Sequence, residues 1–354
     1  MRKHPVAVIG CGNIAQSAHI PSYIKTGRAD IRYLVDILPD KARVLQEKFD
    51  LKDAKVVTDY RELLADPELE AVSVCLPNYL HEPVSVDFLR SGKHVLCEKP
   101  IALNSEQALR MQAVAKENGK ILNIGVVNRF STAVNRIRDI IRSGELGEVY
   151  HIYCSFRDCR CIPGMGGWFT TKAQSGGGVL IDWGVHFIDL ILYCLDNPRP
   201  LTVTGKTFCQ LGKDMENYTY LGMWAGPPDY SGTYDVDDYV TALVRTEGPT
   251  ISLNGAWAQN VNETAMYVEF LGSKGGIKLH YGKDFEELLD RNGALQNIHP
   301  AFQMADMFAD EVANFLDCIE TPRVTRAHID NVLITQKVLD MIYLSSQEGR
   351  EIQL

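Results

Sequence analysis

Pro5-Val6-Ala7-Val8-Ile9-Gly10-Cys11-Gly12-Asn13-Ile14-Ala15 is a short apolar run that breaks into G-x-G-x-x-A and continues into helix-forming sequence. The order strand, glycine turn, helix gives this motif its meaning. Gly10 permits the tight turn, Gly12 lets the backbone approach a pyrophosphate, and Asn13 and Ile14 open a helix whose N-terminus attracts the phosphates. Pro21 predicts that this helix is short. A second strand, Ile31 to Val35, ends in Asp36, near the roughly 20-residue offset at which an acidic side chain meets the ribose hydroxyls of a dinucleotide. A carboxylate there repels a 2′-phosphate and so predicts NAD over NADP; the alternative is that Asp36 caps the helix beginning near Asp40.

Outward from this unit the alternation of strand and helix repeats. A helix near Lys41 to Phe49, a strand at Lys55 to Thr58 and a helix from Tyr60 to Ala65 lead to a buried strand, Ala71 to Leu76. Leu76, Pro77 and Asn78 close that strand, and His81 begins a helix of about ten residues. The next strand, His94 to Cys97, ends in Glu98-Lys99-Pro100. Strand ends of a parallel doubly wound sheet converge on the cofactor, so Leu76, Pro77, Asn78, Glu98 and Lys99 are expected beside it. His81 has two readings, a cofactor neighbour or the polar first residue of its helix. Lys99, before a proline, is held in one direction and can exchange protons if buried; taken alone it also reads as half of a surface salt bridge.

A helix, Ser105 to Asn118, and a strand, Ile121 to Val127, complete the first domain, residues 1–125. Residues 126–354 form the second, an α+β domain with a large, mostly antiparallel sheet. Its strands read as Tyr150 to Phe156, Leu201 to Thr207, Asp238 to Thr246, Thr250 to Ala258 and Met266 to Leu271, and its closing helices as Asp306 to Ile319 and Asp330 to Ser345. Gly176-Gly177-Gly178 lets the backbone pass close to something. Asp182 and His186, four apart on the following helix, read as a carboxylate orienting an imidazole or as an ordinary helix salt bridge. Arg129, Arg157 and Trp168 are expected to line substrate, Trp168 in a glycine-rich aromatic loop suited to a sugar face. Tyr218 to Asp237 reads as an insertion that covers a larger glycoside or reaches a neighbouring subunit.

Composition narrows the classes. The chain has 354 residues, 45% hydrophobic and 23% charged, as in an ordinary globular protein. A net charge of −9 argues against nucleic acid as a partner. No apolar run is expected to reach the roughly 20 residues that span a bilayer, and no signal-peptide core follows Met1, so a cytoplasmic protein is expected. Nine scattered cysteines fit a reducing compartment. His151, Cys154, Cys159 and Cys161 match no common zinc spacing, and no metal is expected.

The ordered combination of Gly10-Cys11-Gly12-Asn13-Ile14-Ala15, Glu98-Lys99-Pro100, and Gly176-Gly177-Gly178 followed by Asp182 and His186 resembles the glucose-fructose oxidoreductase, inositol dehydrogenase and rhizopine catabolism family, Gfo/Idh/MocA. The likeness extends through Gly272-Ser273-Lys274-Gly275-Gly276 to the C-terminal helices. It implies a catalytic trio of Lys99, Asp182 and His186, with Lys99, Asp182 and His186 also touching substrate, and a cis Lys99-Pro100 peptide. It further implies a sugar, cyclitol or glycoside as substrate and a homodimer or homotetramer formed through the second domain's sheet. The reaction implied is hydride transfer from a ring carbinol to NAD, with His186 or Lys99 taking the hydroxyl proton. Two other outcomes occur among such proteins, a redox-cycling glycosidase and a non-catalytic NAD-binding regulator.

Overall fold

A computed structural model describes residues 2–321 and 325–354. The chain divides into two compact units, residues 1–130 with 305–333, and residues 131–304 with 334–354. A single cut after residue 125 therefore needs correction, because the segment from Ala305 to Leu333 belongs with the first unit. Its helix, Met307–Glu320, puts Val312, Phe315 and Leu316 into the same apolar cluster as Val6, Val8, Ile20, Tyr23 and Leu34.

The first unit holds six parallel strands, β1 (His4–Ile9), β2 (Ala29–Val35), β3 (Lys55–Val57), β4 (Ala71–Val74), β5 (His94–Glu98) and β6 (Leu122–Gly125), in the order β3-β2-β1-β4-β5-β6. Order reverses beside β1, the place where such sheets bind ligands. Val6 and Val8 face one buried cluster while Ala7 and Ile9 face another, as period-two side chains must when helices cover both faces. The helix after the glycine turn is not short. It runs from Asn13 to Thr26 with a wide π turn at Ala15–His19, after which Pro21 sits in the first turn of the α-helical part, where a missing N–H is tolerated.

The second unit contains β7 (Val149–Arg157), β8 (Pro200–Phe208), β9 (Tyr239–Thr246), β10 (Thr250–Ala256), β11 (Ala265–Gly272), β12 (Gly275–His280), β13 (Phe285–Arg291), β14 (Ala294–Ile298) and β15 (Ile352–Gln353). They form one sheet ordered β14-β13-β12-β11-β7-β10-β9-β8-β15, antiparallel except for β7 beside β10. The core lies on one face, where Ile152, Cys154, Phe156, Val268 and Phe270 meet the helix Val185–Cys194. The helical run Lys172–Cys194, with mean hydropathy 1.4, is long and apolar enough to cross a membrane, which corrects the expectation that no such run exists. Most of it is buried within the protein. Gly176 to Gly178, Asp182 and His186 interrupt the apolar count and hide its length in the sequence. His151 lies against Tyr153 and Ser252, while Cys154 belongs to the core.

Candidate active site

The dinucleotide side of the site is built from strand ends. Gly10 has φ +96°, and a Cβ there would overlap the Cys75 carbonyl after β4, so glycine is required. Gly12 is different. A Cβ on it would meet nothing within 4 Å, leaving room for a ligand to lie against the backbone at the start of the helix. Asp36 does not cap the next helix. Its Oδ2 accepts the Cys11 N–H at 3.0 Å and its Oδ1 accepts the Leu38 N–H at 2.9 Å, holding the carboxylate beside the glycine turn. Each oxygen keeps a lone pair for a sugar hydroxyl. Open space over Gly12, a following helix and a fixed carboxylate together fit an adenine dinucleotide.

β4 and β5 end side by side, and His81 ties their ends together. The ring is buried in the first turn of the helix His81–Arg90, with Nδ1 2.7 Å from the Pro100 carbonyl and Nε2 2.8 Å from the Leu76 carbonyl. Burial lowers its pKa against the two carbonyls, which favour the charged ring. His81 is thus turned onto the backbone rather than toward a ligand. Asn78 is buried beside it, while Leu76, Pro77 and Lys99 are half-buried. The Lys99-Pro100 peptide is cis. Glu98 is buried, accepts the Lys99 N–H on Oε2 at 3.1 Å, and takes a 2.8 Å hydrogen bond from His19 on Oε1. Burial alone would raise the Glu98 carboxyl, but the His19 hydrogen bond and nearby positive charge outweigh it and hold the pKa below the ordinary value.

Arg129 departs from the expectation that it lines substrate. It is 1% exposed, and its guanidinium donates to the Arg326 carbonyl at 3.1 Å and the Asn331 carbonyl at 2.9 Å. It fastens the returning C-terminal segment to the first unit.

In the second unit, what the glycine triplet approaches is the chain itself. A Cβ on Gly177 would overlap the Tyr343 hydroxyl, and one on Gly178 the Asp237 carbonyl. The Asp237 carboxylate accepts N–H bonds from Gly178 at 2.8 Å and Leu180 at 3.0 Å, and the Tyr343 hydroxyl at 2.8 Å. This buried acid caps the helix carrying Asp182 and His186, a role absent from the sequence reading. Asp182 lies in a π turn, Leu180–Gly184, and is buried; His186 follows in the α-helical part, half-buried. The wide turn places fewer than four residues' worth of α-helical rotation between them.

Trp168 packs on Phe169 with ring centroids 3.8 Å apart, and Phe169 meets Trp224 edge-on at 5.0 Å. The insertion that bears Trp224 is pinned to this loop. Ala225 donates to Pro163, Asp229 to Met165 and Asp235 to Thr170 through backbone bonds, and the Asp238 carboxylate gathers the N–H groups of Gln210, Leu211 and Gly212. Trp224, Tyr220 and Tyr230 remain exposed. Arg157 donates to Ser155 at 3.1 Å and lies 3.8 Å from Glu263.

Sequence reasoning missed His19, Ser73, Tyr23 and Asp237. His19 carried a weak signal, a histidine set between the apolar Ala18 and Ile20; Asp237 had none, since its partner Gly178 lies about 60 residues away in the chain.

Residues 5–126 match the family described as "Oxidoreductase family, NAD-binding Rossmann fold", and residues 134–278 match the "GFO/IDH/MocA C-terminal domain". The chain is 30% identical to the D-glucoside 3-dehydrogenase of Escherichia coli (strain K12), over 99% of this chain and 97% of the relative. It is 23% identical to the levoglucosan dehydrogenase of Pseudarthrobacter phenanthrenivorans, over 71% and 65% of the two chains. Among solved structures, the fold is shared with an aldose-aldose oxidoreductase from Caulobacter crescentus complexed with glycerol, TM-score 0.82 at 24% identity over the whole of both chains. It is also shared with a levoglucosan dehydrogenase in complex with NADH and levoglucosan, TM-score 0.84 at 18% identity over 99% of each. Matched in both of its domains and along nearly its full length, the chain belongs to the Gfo/Idh/MocA family of NAD-binding sugar oxidoreductases.

Proposed function

We propose that this chain is an NAD-dependent dehydrogenase that oxidises a secondary ring hydroxyl of a hexopyranoside, a D-glucoside being the first candidate, to the ketone. The observation that carries the reading is Lys99. The lysine stands at the end of β5 on a turn that His81 and Glu98 hold from two sides, next to a glycine loop with room for a dinucleotide. A relative of 30% identity over almost the whole chain, named a D-glucoside 3-dehydrogenase, supports the substrate class. Lys99 hydrogen-bonds the reacting oxygen and stabilises alkoxide charge as it develops. Asp182 orients His186, which accepts the hydroxyl proton. NAD, when bound, supplies the hydride acceptor. Asp36 supports NAD over NADP, because a fixed carboxylate bonds a free 2′-hydroxyl and repels a 2′-phosphate. The aromatic insertion, with Trp168 and Trp224, gives the aglycone an apolar surface. The open face of the nine-stranded sheet supports a homo-oligomer.

The test is NADH absorbance at alkaline pH with NAD and a panel of glucosides, free aldoses and inositols, run beside Lys99→Ala. Absorbance rising with glucosides, and a kcat lowered about 100-fold or more in the variant at unchanged NAD affinity, is the expected result. Aglycone release without net NADH, or a variant within about three-fold of the parent, would overturn it.

A further inference from the structure

A row of polar side chains crosses the interior of the first unit beneath the strand end that bears Lys99. Tyr23 and His19 project from the helix after the glycine loop, Ser73 sits within β4, and Glu98 ends β5; all four are buried. The Tyr23 hydroxyl lies 2.8 Å from Ser73 Oγ, Ser73 Oγ 3.0 Å from His19 Nδ1, and His19 Nε2 2.8 Å from Glu98 Oε1. The other carboxylate oxygen receives the Lys99 N–H. Buried polar rows are costly unless every member is satisfied, and a sheet core can be filled with apolar residues instead.

One arrangement of protons satisfies the row from end to end. Tyr23 donates to Ser73, Ser73 donates to His19 Nδ1, and the Nε2–H donates to Glu98. Burial pushes the Tyr23 phenol far up, which keeps the first proton in place. In this arrangement the imidazole keeps an N–H on Glu98. Burial would raise that carboxyl, but the His19 hydrogen bond, with nearby positive charge, holds its pKa below the ordinary value directly next to Lys99.

We propose that His19 is a positioning residue for the dehydrogenase reaction: acting through Glu98, it fixes the backbone of Lys99 and maintains a negative charge beside that lysine. The inference rests on the catalytic role of Lys99 proposed above. Around Glu98, His19 brings a hydrogen bond to it across the sheet from the helix after the glycine loop. Cys75 after β4 and Cys97 on β5 are thiols that burial keeps protonated. His19, Lys99 and His81 also act on Glu98 through charge. From β6, Gly125 presents only backbone, and a Cβ there would crowd the carboxylate at 3.1 Å. Glu311 faces Tyr23 and Cys75 with negative charge, which adds nothing to hold Glu98 ionised. Without the imidazole, burial prevails and Glu98 takes up a proton at higher pH.

The experiment measures kcat and kcat/KM against pH for the full-length enzyme, His19→Ala, His19→Gln and Glu98→Gln, with NAD affinity by fluorescence and thermal unfolding as controls. His19→Ala is expected to lower kcat about 10-fold or more at little change in NAD affinity. It is also expected to move the acid limb of the profile up by about one pH unit. His19→Gln, whose amide N–H can reach Glu98, restores most of both, and Glu98→Gln lowers kcat and removes the contribution of Glu98 to the acid limb. An acid limb unmoved in His19→Ala, or equal losses in the alanine and glutamine variants, overturns the proposal. Should His19→Ala fail to fold, Glu98→Gln decides, because it keeps the shape of the side chain; wild-type kcat in that variant overturns the proposal. Lys99→Ala separates the two levels. Full activity there overturns both the catalytic reading and this inference, whereas an inactive Lys99→Ala beside an unmoved acid limb in His19→Ala overturns this inference alone.

Discussion

Asp36 shows how a carboxylate can be fixed by the fold and still have lone pairs to offer. Two of its lone pairs receive backbone N–H groups from Cys11 and Leu38, which fixes it against the glycine turn. Those remaining are what a ribose diol would need. Asp36→Ala should raise the Kd for NAD by about 10-fold, the loss of roughly one charge-assisted hydrogen bond. NADP, relieved of charge repulsion, should lose less or gain, so the ratio of the two constants falls. Fluorescence titration with both cofactors checks this, and an unchanged ratio would leave Asp36 as a loop brace only. The pattern of motif and offset pointed to Asp36 in the sequence, and the structure places its carboxylate against the glycine turn. Arg129 shows the opposite case. An arginine after the last strand of a dinucleotide domain reads as a ligand contact, but the carbonyls it bonds come from Arg326 and Asn331, about 200 residues on. Nothing local to Arg129 encodes that.

At the scale of elements, glycines that look alike in sequence divide by what surrounds them. Gly178 packs against the Asp237 carbonyl with no space for a methyl group, at the entry to the helix that carries Asp182. Gly12 faces open space. Gly178→Ala should therefore destabilise the protein by about 2–3 kcal/mol, as overpacking does, and lower activity with it. Gly12→Ala should leave the unfolding midpoint within experimental scatter and weaken NAD binding instead. Denaturant unfolding and NAD titration of the two variants read both effects; equal loss of stability in the two would refute the distinction. The alternation of strand and helix from β1 to β6 was legible because both faces of that sheet are covered, giving dense apolar runs. The strands β12 to β14 were not. Their outward residues, among them Lys278, Glu286 and Asp290, are polar, and their short hairpins look like loop sequence. The amphipathic helix Met307–Glu320 was legible as a helix, yet nothing in its stripe says which of two cores it enters.

At the scale of the whole molecule, the helices of the second unit pack on one face of its nine-stranded sheet, and register identifies the residues of the opposite face. Tyr153 pairs with Glu269, Glu269 with Lys278 and Lys278 with Glu286, and Leu288 follows two residues on, so all five share the outer face. Leu295, opposite Asp290, extends it. Tyr153, Leu288 and Leu295 are 48%, 50% and 74% exposed. Single exposed apolar side chains need no explanation, but aromatic and aliphatic groups gathered on one flat sheet with a Glu269–Lys278 ion pair between them suit a self-complementary interface. A stable interface of about 1,600 Å² needs a flat surface of this kind. The wild-type chain should sediment as a dimer or tetramer at micromolar concentration. Tyr153→Glu combined with Leu288→Lys should weaken association at least about 10-fold by placing charge where desolvation is required. Because neither residue contributes to the core of its unit, the far-UV spectrum and the NAD affinity should persist in the dissociated form. A wild-type monomer, or a double variant that sediments as the parent does, would show that this face is not where the chain associates.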